Sequence, residues 1–211
     1  MPDITLHTLL TRILVLLPII AVYGFTLSWA AARMGDPGPS QDGRATLNPL
    51  AHLDSLGAIA FLVFGMGWIR PLSIDPAKLR GKIMGLIAVL LAGFLSLMLL
   101  ALVAVLLLPW VATAFSFSGA PLVGGFLVTL ARLAVAFAVV NLIPLPPLAA
   151  GQLLASLSPR LSELLAARQV ILGLVMLALL ATSIPGKILA PANEELLRFL
   201  SRDSAMVSTL R

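Results

Sequence analysis

The sequence predicts an all-α polytopic membrane protein with about four transmembrane helices and one short re-entrant hairpin or strand segment. Of the 211 residues, 60% are hydrophobic and only 11% are charged, and the mean hydropathy is +1.06. Long uncharged segments recur along the whole chain, so a single signal peptide does not account for them. A soluble domain of this length cannot bury so much apolar surface.

The uncharged segments give the predicted spans in order, because a spanning helix needs about 20 apolar residues. The run from 83 to 131 carries no charge but is too long for one helix. The Ser-, Gly- and Pro-containing stretch 115–121 therefore predicts the turn that divides it. We expect four spans, at residues 13–33, 83–109, 122–143 and 169–186.

Residues 56–69 form an uncharged segment that is too short to span a bilayer in the ordinary way. Basic residues lie on both sides of it, whereas the turn at 110–121 has neither Lys nor Arg. Cytoplasmic loops carry an excess of Lys and Arg, so both flanks are expected in the cytoplasm. Segment 56–69 must then enter and leave on the same side; if it spans instead, every later helix reverses. The flanking residues are Arg33, Arg44, Arg70, Lys78, Arg80 and Lys82.

The membrane domain is expected over residues 1–190 and a polar C-terminal tail over 191–211. In the tail, Asn193 is placed to cap a short amphipathic helix. Trp68 and Trp110 lie near predicted helix ends, where an interfacial aromatic belt is the ordinary explanation. The leucines of the amphipathic tail helix are Leu196, Leu197 and Leu200.

Composition also limits the chemistry. The chain has no Cys, which excludes disulfides and thiolate metal sites. Its net charge of +5 comes from few residues, and no basic patch is interleaved with aromatic residues. A nucleic-acid partner is therefore not expected. The expected partners are the lipid bilayer and another integral membrane protein or complex.

Three motifs stand out: GDP at 35–37, GRATLNPLAHLD at 43–54 and NLIPLPPLAAG at 141–151. Together they resemble the site-2 protease family of intramembrane zinc metallopeptidases, in its small bacterial form. The resemblance covers residues 13–158. It implies the helical core of that family and a place in the bacterial inner (cytoplasmic) membrane.

The resemblance also places the zinc site on residues that do not match it. Two His one helical turn apart bind the zinc in this family, and the Glu between them acts as general base. Here the His positions hold Tyr23 and Leu27, the Glu position holds Gly24, and the third ligand position holds Ala149. No metal or cofactor is therefore expected, and the chain is expected not to be an enzyme.

Two further positions depart from the family pattern. Where the resemblance implies a Pro and a cavity-facing Asn, this chain has Phe94 and Leu97, which predicts a packed interior in place of a wet one. An alternative is an active intramembrane protease with a relocated metal site at His52 and Asp54. His7, the other histidine, precedes the first span.

Five residues are candidates for binding. Leu72, Ser73 and Ile74 lie between two prolines, which favours a short extended strand that a partner segment can join. A surface turn is the alternative. Asn141 either bonds backbone groups freed by the following prolines or binds an extended segment of a partner.

Arg132 is a charged residue near the middle of a predicted span, where such residues default to a functional hypothesis. It either pairs with a partner carboxylate or a lipid phosphate, or extends along its stem toward the interface.

The leading hypothesis is a catalytically inactive, structural or accessory protein that binds a transmembrane helix or an extended segment in the former substrate groove. The rivals are the active protease with the relocated site, and a subunit that packs on the periphery of a large complex.

Overall fold

The computed structural model describes residues 5–114, 119–182, 191, 194 and 195. Within these residues the chain is helical, and the predicted all-α class is confirmed. The helices are α1 (Leu6–Met34), α2 (Gly38–Gln41), α3 (Ser55–Phe64), α4 (Ile83–Ala114), α5 (Ala120–Val140), α6 (Gly151–Ala155), α7 (Pro159–Ala167) and α8 (Gln169–Leu180), with a 3₁₀ turn at Pro49–Ala51.

Three helices, α1, α4 and α5, are long and apolar enough to cross a membrane. Among the described residues, a fourth span requires that α7 and α8, which meet at a 71° bend, cross together. The predicted span at 169–186 is shorter in the structure, since α8 ends at Leu180. The predicted tail helix lies outside the described residues, apart from 191, 194 and 195.

The long helices form a bundle in which α4 packs along both α1 and α5. One face of α4 contributes to the core through buried residues such as Leu86, Val89 and Leu97. The opposite face is exposed at helical spacing, as expected of a helix that contacts lipid. These exposed residues are Leu91, Leu95, Leu99, Leu102 and Leu106.

Residues 55–72, which we call the re-entrant hairpin, begin and end beside the C-terminal half of α1. The Arg44 guanidinium donates to the Arg70 carbonyl oxygen (2.8 Å). The Asp75 N–H donates to the carboxylate of Asp36 (2.7 Å), which follows α1 directly. Both flanks of the segment are thereby held at the same end of the bundle.

The tip of the re-entrant hairpin lies near the other end of α1. Arg12 donates two hydrogen bonds to the last turn of α3, to the carbonyl oxygens of Leu62 (2.6 Å) and Val63 (2.8 Å). The chain then reverses at Gly65, which has a left-handed φ of 73°. The segment therefore runs from its base toward the N-terminal end of α1 and back, which is the hairpin shape expected from its length and flanking charges.

Two sequence expectations differ from the structure. Residues 72–74 form no strand among the described residues: the Ile74 N–H donates to the Leu72 carbonyl oxygen (3.0 Å), which makes a tight turn centred on Ser73. Trp68 is not at an interface but 2% exposed, because Gly57 and Gly173 leave space for its ring between α3 and α8.

Candidate functional site

The positions of the two expected His ligands are packed into the core of the bundle. Tyr23 and Leu27, one turn apart on α1, are 2% and 0% exposed. The Tyr23 ring meets Phe137 of α5 edge to face, with ring centroids 5.7 Å apart. Helix α4 approaches both side chains so closely at Gly93 that a Cβ there would lie 2.8 Å from Tyr23 and 2.7 Å from Leu27.

The position of the expected general base, Gly24, is covered by the imidazole ring of His52. A Cβ added at Gly24 would lie 2.2 Å from His52 Nδ1, well inside van der Waals contact. His52 is fully buried, and its Nε2 lies 2.8 Å from the Thr46 carbonyl oxygen. Its backbone carbonyl accepts from the Arg70 N–H (2.8 Å), which fixes the backbone that carries the ring, while Nδ1 has no hydrogen-bond partner among the described residues. The space that a side chain at position 24 needs is already filled.

His52 lies outside the membrane-spanning helices, and its surroundings lower its pKa. Burial lowers the pKa of His52, the hydrogen bond to the Thr46 carbonyl opposes this, and the charge of Arg44 lowers it further. A neutral imidazole can ligate metals. Its expected co-ligand is engaged elsewhere, however, since Asp54 caps α3 by accepting from the Gly57 N–H (2.8 Å).

The donor set present does not fit a catalytic zinc. In the described part of the chain, no three His, Asp or Glu side chains come together in a group that could hold a metal ion. Zinc proteases use three protein ligands and an open position. Tyr23, Leu27 and Ala149 supply no such set, and Gly24 supplies no base.

Asn141 joins three parts of the fold. Its Nδ2 donates to the carbonyl oxygens of Gly67 (3.0 Å) and Phe137 (2.9 Å), and its Oδ1 accepts from the Ala149 N–H (3.3 Å). The side chain is 1% exposed. It therefore satisfies backbone groups at the break after α5, which is the first of the two roles expected of it.

A groove of about 660 Å³ opens beside two of the four altered positions, Leu27 and Ala149. One wall is the returning limb of the re-entrant hairpin and its continuation, residues 69–76. The other wall comes from the Pro-rich loop, α6, α7 and the first turn of α8. Leu72, Ser73 and Ile74 line this groove, whereas Asn141 and Arg132 do not.

The expected packed interior is therefore found in part. Leu97 is fully buried and Phe94 half-buried, and the ring of His52 fills the space beside Gly24. Beside Leu27 and Ala149 the groove stays open.

Two residues of interest were missed from the sequence. Gln152 of α6 lines the groove, and its buried Oε1 has no hydrogen-bond partner among the described residues. An unpaired buried acceptor is costly, so an N–H donor in the groove would be favoured. A Gln within the apolar stretch GQLLA was the available signal. Arg12, which holds the hairpin tip, gave none beyond its charge.

Comparison with known proteins gives one informative relative. The chain is 30% identical over 155 residues to the Bacillus subtilis (strain 168) protein named "Putative zinc metalloprotease YwhC". The alignment covers 68% of this chain and 69% of that protein. No family model matches the chain, and no solved structure does.

Proposed function

Since this chain belongs to the metallopeptidase-like membrane protein family that includes YwhC, we propose that it is a catalytically inactive, site-2-protease-like member that binds another membrane protein. It would act as a structural or accessory subunit in the bacterial inner membrane. The observation that carries the proposal is the pairing of an open groove with a filled base position: His52 lies where the general base would extend from Gly24.

The loss of zinc-dependent hydrolysis involves the whole site. Hydrolysis needs a metal-bound water and a base beside it. Tyr23 and Leu27 are packed against α4 and α5, and Ala149 has no donor atom in its side chain. The His52 ring bonds to the loop at Thr46, and Asp54 caps α3. Their hydrogen bonds therefore do not support a relocated metal site.

The lining of the groove supports the binding role. Its lining includes the apolar side chains of Leu72 and Leu172 and the Oε1 of Gln152, which has no hydrogen-bond partner among the described residues. Peptide segments bind such sites through backbone hydrogen bonds and side-chain pockets. An extended segment, or an unwound end of a transmembrane helix, presents backbone N–H groups that can donate to the Oε1 of Gln152.

A photo-crosslinking amino acid placed in the groove tests the binding role. We expect the substituted positions Ser73 and Ala155, on opposite walls, to capture the same partner chain in intact membranes. Leu99 on the lipid-facing side of α4, 60% exposed, is the matched control and should not capture it. Capture at Leu99 alone would favour peripheral packing in a complex, and no capture at the groove positions would contradict the proposal.

Metal analysis of the purified protein tests the loss of catalysis separately. We expect far less than one zinc per chain and no peptide hydrolysis. Stoichiometric zinc that is lost on both His52→Ala and Asp54→Asn would establish the relocated site instead. Asp54→Asn is the informative variant, because Asn still caps a helix and the fold is retained.

A further inference from the structure

A second pocket, of about 250 Å³, lies between the N-terminal part of α1 and the middle of α5. It contains two arginines, Arg12 and Arg132, and none of its described lining residues is acidic. We call it the basic pocket. Its lining residues are His7, Thr8, Thr11, Arg12, Thr129, Arg132 and Leu133.

The free donor of the basic pocket is the guanidinium of Arg132. In the part of the chain that the structure describes, Arg132 has no hydrogen-bond or ion-pair partner, and its side chain is exposed. The hydroxyls of Thr11 and Thr129 already donate to carbonyl oxygens of their own helices. Arg12 uses one of its two terminal nitrogens at the hairpin tip. The pocket thus has two positive charges and unused N–H groups.

The length of α1 places the Arg12 end of the basic pocket near the boundary between the lipid headgroups and the hydrocarbon. Helix α1 has 29 residues, hence a length of about 43 Å at 1.5 Å per residue, against about 30 Å of hydrocarbon. Arg12 lies in the second turn, about 9 Å from the start of that helix. Helical side chains tilt toward the helix N-terminus, so Arg132 leans toward the same boundary.

The surface next to the basic pocket is apolar and exposed. Leu10, Ile13 and Leu14 of α1 are 52%, 39% and 58% exposed, so acyl chains can cover them. An uncompensated pair of cations near the hydrocarbon is costly, and an anion between them removes that cost. Guanidinium groups bind phosphate oxygens with paired, charge-assisted hydrogen bonds.

We propose that the basic pocket binds the phosphate of an anionic phospholipid in the leaflet that surrounds the N-terminal end of α1. Arg132 is the principal ligand, and Arg12 adds charge while it holds the hairpin tip. This site is separate from the groove and does not depend on the function proposed for it.

Native mass spectrometry of the full chain in nonionic detergent tests this proposal, with phosphatidylglycerol and phosphatidylcholine as probes. We expect the wild type to retain phosphatidylglycerol in preference to phosphatidylcholine. Arg132→Gln should weaken retention by about tenfold or more, since a hydrogen bond to a charged group contributes about 1.5–3 kcal/mol. Arg160→Gln, which removes an exposed arginine of α7, is the matched control and should leave retention unchanged.

Three results would overturn the proposal: equal retention by Arg132→Gln and wild type, an equal loss in Arg160→Gln, or displacement of the lipid by excess inorganic phosphate. The last result would show a site for the free anion. Arg12→Gln is unsuitable as a test variant, because it also removes the hydrogen bonds that hold the last turn of α3.

Discussion

At the residue scale, Gly24 and His52 share one space. That Gly24 provides no base is visible in the sequence, because a glycine has no functional group. That an imidazole covers it is not, since the contact depends on the path of the loop between α1 and α3. Asn141 is similar: the prolines after it predicted freed backbone groups, but not that Gly67 of the hairpin would be among its partners.

Gly24→Ala should destabilise the protein. The new Cβ would meet His52 Nδ1 at 2.2 Å, and the ring is held by Thr46 and by backbone contacts. Overpacking of this kind costs about 1–3 kcal/mol, which a thermal unfolding midpoint in detergent detects. Gly125→Ala is the control, because nothing lies within 4 Å of a Cβ there. Equal midpoints for the two variants would contradict the observed packing.

Stability should fall in mild acid because of His52. Burial lowers the pKa of His52 in the folded state below its usual value of 6.5. The unfolded chain therefore takes up the proton first as the pH falls. The stability that the protein gains by burying neutral His52 is fully present above pH 6.5. It is lost progressively as the pH falls toward the folded-state pKa of His52. Unfolding midpoints between pH 5 and 8 (roughly the range of His titration) measure it.

His52→Asn should remove most of this pH dependence, whereas His7→Asn should keep it, since His7 is exposed. An unchanged pH profile in His52→Asn would show that another group is responsible.

At the element scale, the re-entrant hairpin shows what charge and length can predict. The basic flanks and the short apolar run were enough to predict entry and return on one side. They did not predict how far the hairpin reaches, because that depends on a contact between the Arg12 side chain and the backbone of α3. Helix α7 was not predicted, although Ser158 and Pro159 are a typical helix start.

Arg12→Gln should loosen the tip of the re-entrant hairpin. It removes two charge-assisted hydrogen bonds, each contributing about 1.5–3 kcal/mol. Amide hydrogen exchange should then rise in the last turn of α3, residues 61–65. Arg132→Gln is the matched control, because Arg132 has no contact with α3 through hydrogen bonds in the described residues. Similar exchange in the two variants would contradict a tethering role for Arg12.

At the scale of the whole molecule, the bundle of α1, α4 and α5 was predictable because length and hydropathy suffice to define such spans. The groove was only partly predictable. Residues 72–74 were identified as part of it, with a strand and a surface turn both left open, since two flanking prolines favour extended backbone without deciding between them; the structure has the turn. The opposite wall required three short helices to assemble, and no local pattern specifies that packing.

The side on which each loop lies can be tested with single cysteines, because the native chain has none. We expect Gln41→Cys and Ala77→Cys to react with an impermeant reagent from the same side of the membrane, the cytoplasmic one. Leu6→Cys, at the start of α1, should react from the opposite side. Labelling of Gln41→Cys and Ala77→Cys from opposite sides would mean that residues 55–72 cross the membrane.

The two ends of the re-entrant hairpin are fastened differently from the wall it faces. Arg12 forms hydrogen bonds with its tip, and Asp36 and Arg44 form hydrogen bonds with the chain at its base, so this wall of the groove is fixed at both ends. The facing wall contains the 71° bend between α7 and α8. A segment that enters the groove sideways from the lipid is therefore expected to displace α7 and not the hairpin. A covalent cross-link between α7 and α6 should then block entry while leaving residues 69–76 unchanged.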